Sequence, residues 1–177
     1  MANPFQEIRE EPIMIIRLSK RLSAKIKEPD LPAIHPDPNP YLDWHAHLFT
    51  FNRAQYIMVT NSRSLFSVFM HGAGVTDFSE FIDRLSDTFK DVLHGIGADL
   101  IFQRIIVPGM KEVRFAKAQE KRIISSMNDN VGFAKAVLID DNISPYELTF
   151  EVNKNIHALT GYARTTEVFL SMKTGEE

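Results

Sequence analysis

The residues of this sequence whose types and spacing most suggest chemistry lie in the stretch DWHAHLF, residues 43–49. On a β-strand, alternate side chains point to the same face, so Asp43, His45 and His47 are expected to project together and Trp44 to the other side. Imidazole and carboxylate groups are ligands for divalent ions such as Zn²⁺, and this spacing predicts a metal site. Candidate further ligands are His35, His71 and Asp129. The alternative is that His45 and His47 lie on the partly solvated face of an edge strand or make structural hydrogen bonds, and that Asp43 ends the proline-rich loop.

A second candidate is SSMNDN, residues 125–130, a run of poor helix formers within a helical pattern. Ser125 and Asp129 are four residues apart and therefore share a helix face. Such residues are tolerated inside a helix when their side chains join a polar network that fixes a site. The alternative interpretation is a solvated helix face or an interrupted helix.

Basic residues form a third signal, because they occur in two groups, one near the start of the chain and one in its second half. If both groups met on one surface, they could bind the phosphates of RNA or DNA. The formal net charge is −3 and the pI about 6.1, which excludes a protein-wide positive field and favours ordinary solvated faces. The residues concerned are Arg17, Lys20, Arg21, Arg114, Lys121 and Arg122.

Three apolar runs, at 47–51, 55–60 and 64–70, are rich in aromatic and β-branched residues and predict an antiparallel meander. Residues 13–18 and 111–118 predict two further strands. Five prolines between residues 28 and 40 predict a stiff, extended loop. Residues 99–107 are apolar without a clean period, so both a short helix and a buried strand stay open.

Helices are predicted mainly in the second half of the chain. Capping boxes at Asp77 and Ser144 begin two of them, the first ending at Gly95 to Gly97 and the second running toward Gly161. Apolar periodicity predicts a long helix over residues 121–140, and short helices are predicted after Ser19 and around 167–172. Strands early and helices late predict an α+β fold, an antiparallel sheet covered by helices mainly on one face.

The length of 177 residues predicts a single domain over residues 14–177, preceded by a flexible extension over residues 1–13. The absence of cysteine excludes disulfides and thiolate chemistry. No apolar stretch approaches the ~20 residues that span a bilayer, and no secretory signal is evident, so a cytoplasmic protein is expected. The sequence contains no GxGxxG, GxxxxGK[ST] or GxSxG motif.

The chain resembles a bacterial family of small, functionally uncharacterised proteins. The resemblance is carried by MIIRLSKRL from Met14, W-x-A-x-L-F at residues 44–49, Arg53, the SMND element at residues 126–129 and TGY at residues 160–162. It implies a shared polar pocket formed by Trp44, Arg53, Ser126, Asn128 and Asp129. Family members tend to have Asn where His47 stands, which argues against His47 as a shared metal ligand.

The function expected first is a non-catalytic or regulatory binding module. Its pocket is expected between the meander and the long helix, with Arg53 and Asp129 as polar contacts and no cofactor. The alternative is a hydrolase that uses a divalent metal at Asp43, His45 and His47 to activate water. Nucleic-acid binding through the basic residues is the third expectation, and no membrane partner is expected.

Overall fold

The structure is a computed structural model that describes residues 11–140 and 142–174. Five strands form one sheet in the order β4-β3-β2-β1-β5. Their bounds are β1 Met14–Leu18, β2 Asp43–Phe51, β3 Ala54–Asn61, β4 Ser67–His71 and β5 Val113–Lys117. Residues 1–10 of the expected N-terminal extension lie outside the described part of the chain, and the division into an extension and one domain stays a prediction.

The sheet is mixed, so the prediction of an antiparallel sheet was wrong. Strands β2, β3 and β4 do form the expected antiparallel meander. Strand β1, however, lies between β2 and β5 and runs parallel to both. The physical reason is the connection over residues 19–42, which is long enough to return the chain to the starting edge, so that β2 begins beside β1 in the same direction.

Helices cover both faces of the sheet, so the expectation that they lie mainly on one face was also wrong. Their bounds are α1 Lys20–Lys25, α2 Phe78–Gly95, α3 Asp99–Ile101, α4 Val107–Met110, α5 Lys121–Val137, α6 Pro145–Val152 and α7 Thr165–Ser171. Short 3₁₀ turns occupy Pro40–Leu42 and Ala158–Thr160. No helix in the described ranges is long and apolar enough to cross a membrane.

The larger core lies on the face that carries Trp44. There α2 buries the apolar stripe that begins after its Asp77 cap, and Phe89 of that stripe packs 4.7 Å from Trp44 between ring centroids. Residues 99–107, for which the sequence allowed either a helix or a strand, are helical. Helices α3 and α4 are joined there by a π-helical turn, Phe102–Ile106. Ile106 of this turn is fully buried in the same core.

The opposite face carries a second, smaller core. Helices α5 and α6 pack there against the meander, and Met127, Val131 and Leu148 meet Phe49 and Met58. Helix α6 ends at Val152, well before the Gly161 expected from the sequence. This second core covers β3, β4 and the end of β2, whereas on the same face the start of β2 and its neighbour β1 bury the polar side chains Asp43, His45 and Arg17.

Candidate functional site

The polar side chains of β1 and β2 lie together on the face with the smaller core. Alternation along β2 places Asp43 and His45 on the same side as Phe49, which belongs to that core. In the parallel register Arg17 of β1 stands beside His45, and aligned residues of neighbouring strands share a face. These three polar residues are all buried, with 2–5% of their surfaces exposed.

Arg17 and Asp43 form a buried bidentate ion pair. Arg17 Nε donates to Asp43 Oδ1 at 3.0 Å, and Nη2 donates to Oδ2 at 2.8 Å. The third guanidinium nitrogen, Nη1, donates to the carbonyl oxygen of Ile34 at 2.9 Å. Both side chains are 6% exposed, so each charge depends on the other for its stabilisation. The pair thereby fastens the proline-rich segment, residues 28–40, to the sheet.

Ser62 links Asp43 to His45. Its hydroxyl donates to Asp43 Oδ1 at 2.7 Å, and its oxygen lies 2.8 Å from His45 Nδ1. A hydroxyl has one proton, and an ionised carboxylate only accepts, so His45 Nδ1 must donate to Ser62. This assigns the His45 tautomer: the proton is on Nδ1, and Nε2 carries a free lone pair.

His45 Nε2 is a buried hydrogen-bond acceptor, and nothing within residues 11–140 and 142–174 donates to it. The pKa of His45 is lowered to about 4, chiefly by burial; the charge of Asp43 opposes this shift and the charge of Arg17 adds to it. The imidazole is therefore neutral at pH 7 and offers Nε2 as an acceptor. Because a buried acceptor without a donor is costly, this atom marks a place where a ligand gains affinity.

The order of these hydrogen bonds differs from that of a serine-hydrolase triad. In such a triad the imidazole lies between serine and carboxylate, so that it can take the hydroxyl proton. Here Ser62 lies between His45 and Asp43 and gives its proton to the carboxylate. The arrangement holds the imidazole in one tautomer and does not activate Ser62 as a nucleophile.

The structure does not arrange Asp43, His45 and His47 as the metal site that their alternation along one strand predicted. Asp43 is occupied by Arg17 and Ser62, and His47 is only partly buried, with its pKa lowered by burial and by Arg21 and Lys135. In the described part of the chain, no group of three or more His, Cys, Asp or Glu side chains is placed to hold a metal ion. Metal binding by Asp43, His45 and His47 stays a prediction.

Two cavities open beside this network and share Arg17 and His45 as lining residues. The larger, of about 970 Å³, lies between the proline-rich segment, Ser62 and the start of α5. The smaller, of about 530 Å³, lies between β2, α1 and the middle of α5, where Met127 and Asn128 line it. Both volumes are typical of sites for small molecules. We call the two cavities together the Arg17–His45 cleft.

The charged side chains that line the Arg17–His45 cleft are mainly basic. Outside the Arg17–Asp43 pair, the described lining residues include six basic side chains and two acidic ones, Asp37 and Glu120. Burial raises the pKa of Asp37, and the charge of Asp43 adds to that effect, whereas the Asn39 amide opposes it. The basic residues are Lys20, Arg63, Lys117, Lys121, Arg122 and Lys173.

The structure does not bring together the polar pocket implied by the family resemblance. Trp44 is fully buried in the larger core and donates Nε1–H to the carbonyl of Tyr41 at 2.7 Å. Arg53 is exposed in the β2–β3 turn, at the other end of β2. Trp44 is buried near the start of β2, whereas Arg53 is exposed beyond its end, so these two residues line no common pocket.

The SMND element contributes one residue to the cleft. Asn128 is exposed and lines the smaller cavity, whereas Ser126 is buried under α5. Asp129 is exposed and lies near His157. Burial lowers the pKa of His157, and the charge of Asp129 partly opposes that shift. Arg53 and Asp129, expected as the two polar contacts of one pocket, line neither of these two cavities.

The basic residues named for nucleic-acid binding are divided between the Arg17–His45 cleft and other parts of the described structure. Arg17 is buried in its ion pair, and Arg114 pairs with Glu112 at 2.8 Å on the surface. Lys121 and Arg122 line the larger cavity, while Lys20 lines the smaller one. Arg21 lies 3.5 Å from the Thr50 hydroxyl.

Sequence reasoning missed the pairing of Arg17 with Asp43 and the part played by Ser62. The available signal was a charged residue inside the apolar run MIIRL of β1, since a buried arginine needs an acidic partner. Ser62 follows β3 directly and reaches Asp43 because β3 runs antiparallel to β2. Neither contact is visible without the strand order.

The chain matches a known protein family over most of its length. The family model described as "Domain of unknown function (DUF6933)" matches residues 15–167, which is most of the chain. The chain therefore belongs to this family. No curated protein and no solved structure matches it.

Proposed function

We propose that this chain, as a member of a family without an assigned activity, is a non-catalytic binding module. It holds a small polar molecule in the Arg17–His45 cleft, with a hydrogen-bond donor of the ligand placed against His45 Nε2. The observation that carries this proposal is a buried imidazole acceptor that no described residue satisfies, on His45, a residue that lines both cavities.

The rigidity of the cleft supports binding. Arg17, Asp43, Ser62 and His45 hold one another through hydrogen bonds of 2.7 to 3.0 Å. A site whose polar groups are fixed before the ligand arrives loses little conformational entropy on binding. The neutral state of His45 supports a binding role rather than proton transfer, since a general base works best with a pKa near the working pH.

We also propose that the protein is bacterial and cytoplasmic. The resemblance to bacterial proteins supports a bacterial origin, and the cysteine-free sequence is compatible with a reducing cytoplasm.

A screen of polar fragments by saturation-transfer NMR tests the proposed function. Gln119→Trp and Asn128→Trp place indoles at the mouths of the larger and the smaller cavity, and both positions are exposed in the native chain. Ala136→Trp, exposed on the same helix as Asn128 but outside both cavities, is the matched control. We expect fragments with N–H or O–H donors to bind the wild-type chain and the control, and to lose affinity in at least one blocking variant.

The proposal is wrong if no fragment binds. It is equally wrong if the fragments that bind leave the His45 ring resonances unshifted or bind both blocking variants as well as the control. Circular dichroism of the three tryptophan variants verifies that each is folded before the comparison is made.

A further inference from the structure

We propose that the ligand of the Arg17–His45 cleft is a phosphorylated small molecule. Its phosphate is bound at the start of α5 by Lys121 and Arg122, and a hydroxyl or N–H group of the same molecule donates to His45. This inference rests on the proposed function, since it names the chemical class of the ligand for the same cleft.

The start of α5 forms part of the wall of the larger cavity. Residues 119–123 all line it, and the helix they begin is 17 residues long. The N-cap is Glu120, whose side chain makes no capping hydrogen bond. The first backbone N–H groups of a helix lack intrahelical partners and, together with the helix dipole, favour an anion.

The charges of the side chains in this first turn are positive, which is unusual for a helix N-terminus. Acidic residues stabilise helix N-termini, whereas α5 begins with Lys121 and Arg122 and has no acidic residue in its first turn. Two cations at the positive end of a helix dipole destabilise the isolated helix. A bound dianion removes that repulsion, so both side chains and the helix end then contribute to its binding.

The buried imidazole of His45 is a second feature of the same cavity. It is 2% exposed, it lines the same cavity as the start of α5, and its Nε2 has no donor among the described residues. A phosphate monoester is mostly doubly ionised at neutral pH and offers only acceptors. The donor for His45 must therefore belong to the organic part of the ligand, which excludes a bare anion and favours a sugar phosphate or a nucleotide.

The distribution of charge supports the same ligand class. The chain has a net charge of −3, yet six basic side chains and two acidic ones line the cleft outside the Arg17–Asp43 pair. Such a concentration of one sign in a concave site attracts anions. A nucleic-acid polymer fits this site less well than a small molecule does, because the cavities that the described basic residues line have volumes typical of small-molecule sites.

Isothermal titration calorimetry of the full chain at low salt tests the inference. The probes are AMP, ribose 5-phosphate and glycerol 3-phosphate, each paired with its unphosphorylated form, together with sodium acetate and a single-stranded RNA hexamer. Lys121→Ala/Arg122→Ala removes the proposed phosphate contacts. Lys90→Ala/Arg104→Ala removes the same two residue types from exposed positions in α2 and in the π-helical turn, and serves as the control.

We expect at least one phosphorylated probe to bind at least tenfold more tightly than its unphosphorylated form and than acetate. Lys121→Ala/Arg122→Ala is expected to weaken it at least tenfold, and Lys90→Ala/Arg104→Ala less than twofold. If polar fragments bind at His45 but no phosphorylated probe shows this preference, the phosphate inference is overturned and the binding function stands. If neither fragments nor probes bind, both fail. Tighter binding of the RNA hexamer than of every small probe also overturns the inference.

Discussion

Replacing either member of the Arg17–Asp43 pair is expected to destabilise the fold strongly. Asp43→Leu leaves the Arg17 guanidinium buried, with 6% of the side chain exposed and no counter-ion among the described residues within hydrogen-bond distance. Breaking a buried pair by removing one partner costs about 3–5 kcal/mol, which is a large part of the ~5–15 kcal/mol that stabilises a typical domain. Arg17→Met is expected to be costly for the same reason, since it leaves the carboxylate buried.

The double variant Arg17→Met/Asp43→Leu is expected to recover most of that loss. A well-packed apolar pair often replaces a buried ion pair with little change in the free energy of unfolding. Recovery is incomplete by about 1 kcal/mol, because the Ser62 hydroxyl loses the carboxylate to which it donates at 2.7 Å. With losses of about 3–5 kcal/mol in each single variant and about 1 kcal/mol in the double variant, the coupling free energy of this double-mutant cycle is expected to be about 5 kcal/mol or more.

Urea denaturation at pH 7, analysed by linear extrapolation, measures the four free energies of unfolding. The exposed pair Arg114–Glu112, with side chains 56% and 52% exposed, provides a control cycle expected to give less than about 1 kcal/mol. A coupling for Arg17 and Asp43 as small as that of the control would refute the claim that this pair depends on burial and holds the site together.

Three further predictions concern single residues. The free energy of unfolding is expected to fall as pH drops from 6.5 toward 4, because the unfolded chain then protonates His45 and the folded chain does not. His45 is expected to account for a loss of about 2 kcal/mol in the free energy of unfolding at pH 5. Urea denaturation at pH 8 and pH 5 should show that His45→Gln lacks this contribution to the pH dependence. Arg53→Gly is expected to raise the free energy of unfolding by about 0.5–1 kcal/mol, since Arg53 has φ 65° in the β2–β3 turn. Because Arg53 lines neither cavity of the cleft, this variant should still bind fragments, and a loss of fragment binding would contradict that expectation. Asn153→Ala is expected to cost about 3 kcal/mol by denaturation, because the Asn153 amide bonds the backbone N–H and carbonyl of Ser67 on edge strand β4 at 2.9 and 2.6 Å, and an unchanged midpoint would contradict it.

Local patterns in the sequence predicted much of the fold because they are decided by neighbours in the chain. The Asp77 and Ser144 caps, the meander and the helical stripe of α5 all follow from residues within one or two turns or one hairpin. The π-helical turn at Phe102–Ile106 escaped prediction because its apolar residues lack a 3.6-residue period.

Contacts between distant strands could not be predicted in this way. The parallel pairing of β1 with β5 joins residues about a hundred positions apart, and no local signal specifies it. The face shared by Asp43 and His45 followed from strand alternation, but the partners that decide their chemistry, Arg17 and Ser62, depend on the strand order. Trp44 was assigned to a pocket although the same alternation places it on the opposite face from Asp43, in the larger core.

Long-range ¹H–¹⁵N NMR of the imidazole rings measures the state of His45 most directly. The hydrogen-bond order from Asp43 through Ser62 predicts a protonated Nδ1 and an unprotonated Nε2, unchanged from pH 7 down to about pH 5. Adding a ligand of the cleft should then shift the Nε2 resonance in the direction of a new hydrogen bond. A proton on Nε2, or a charged ring at pH 6, would contradict the account, because the cleft would then offer a donor where a free acceptor is required.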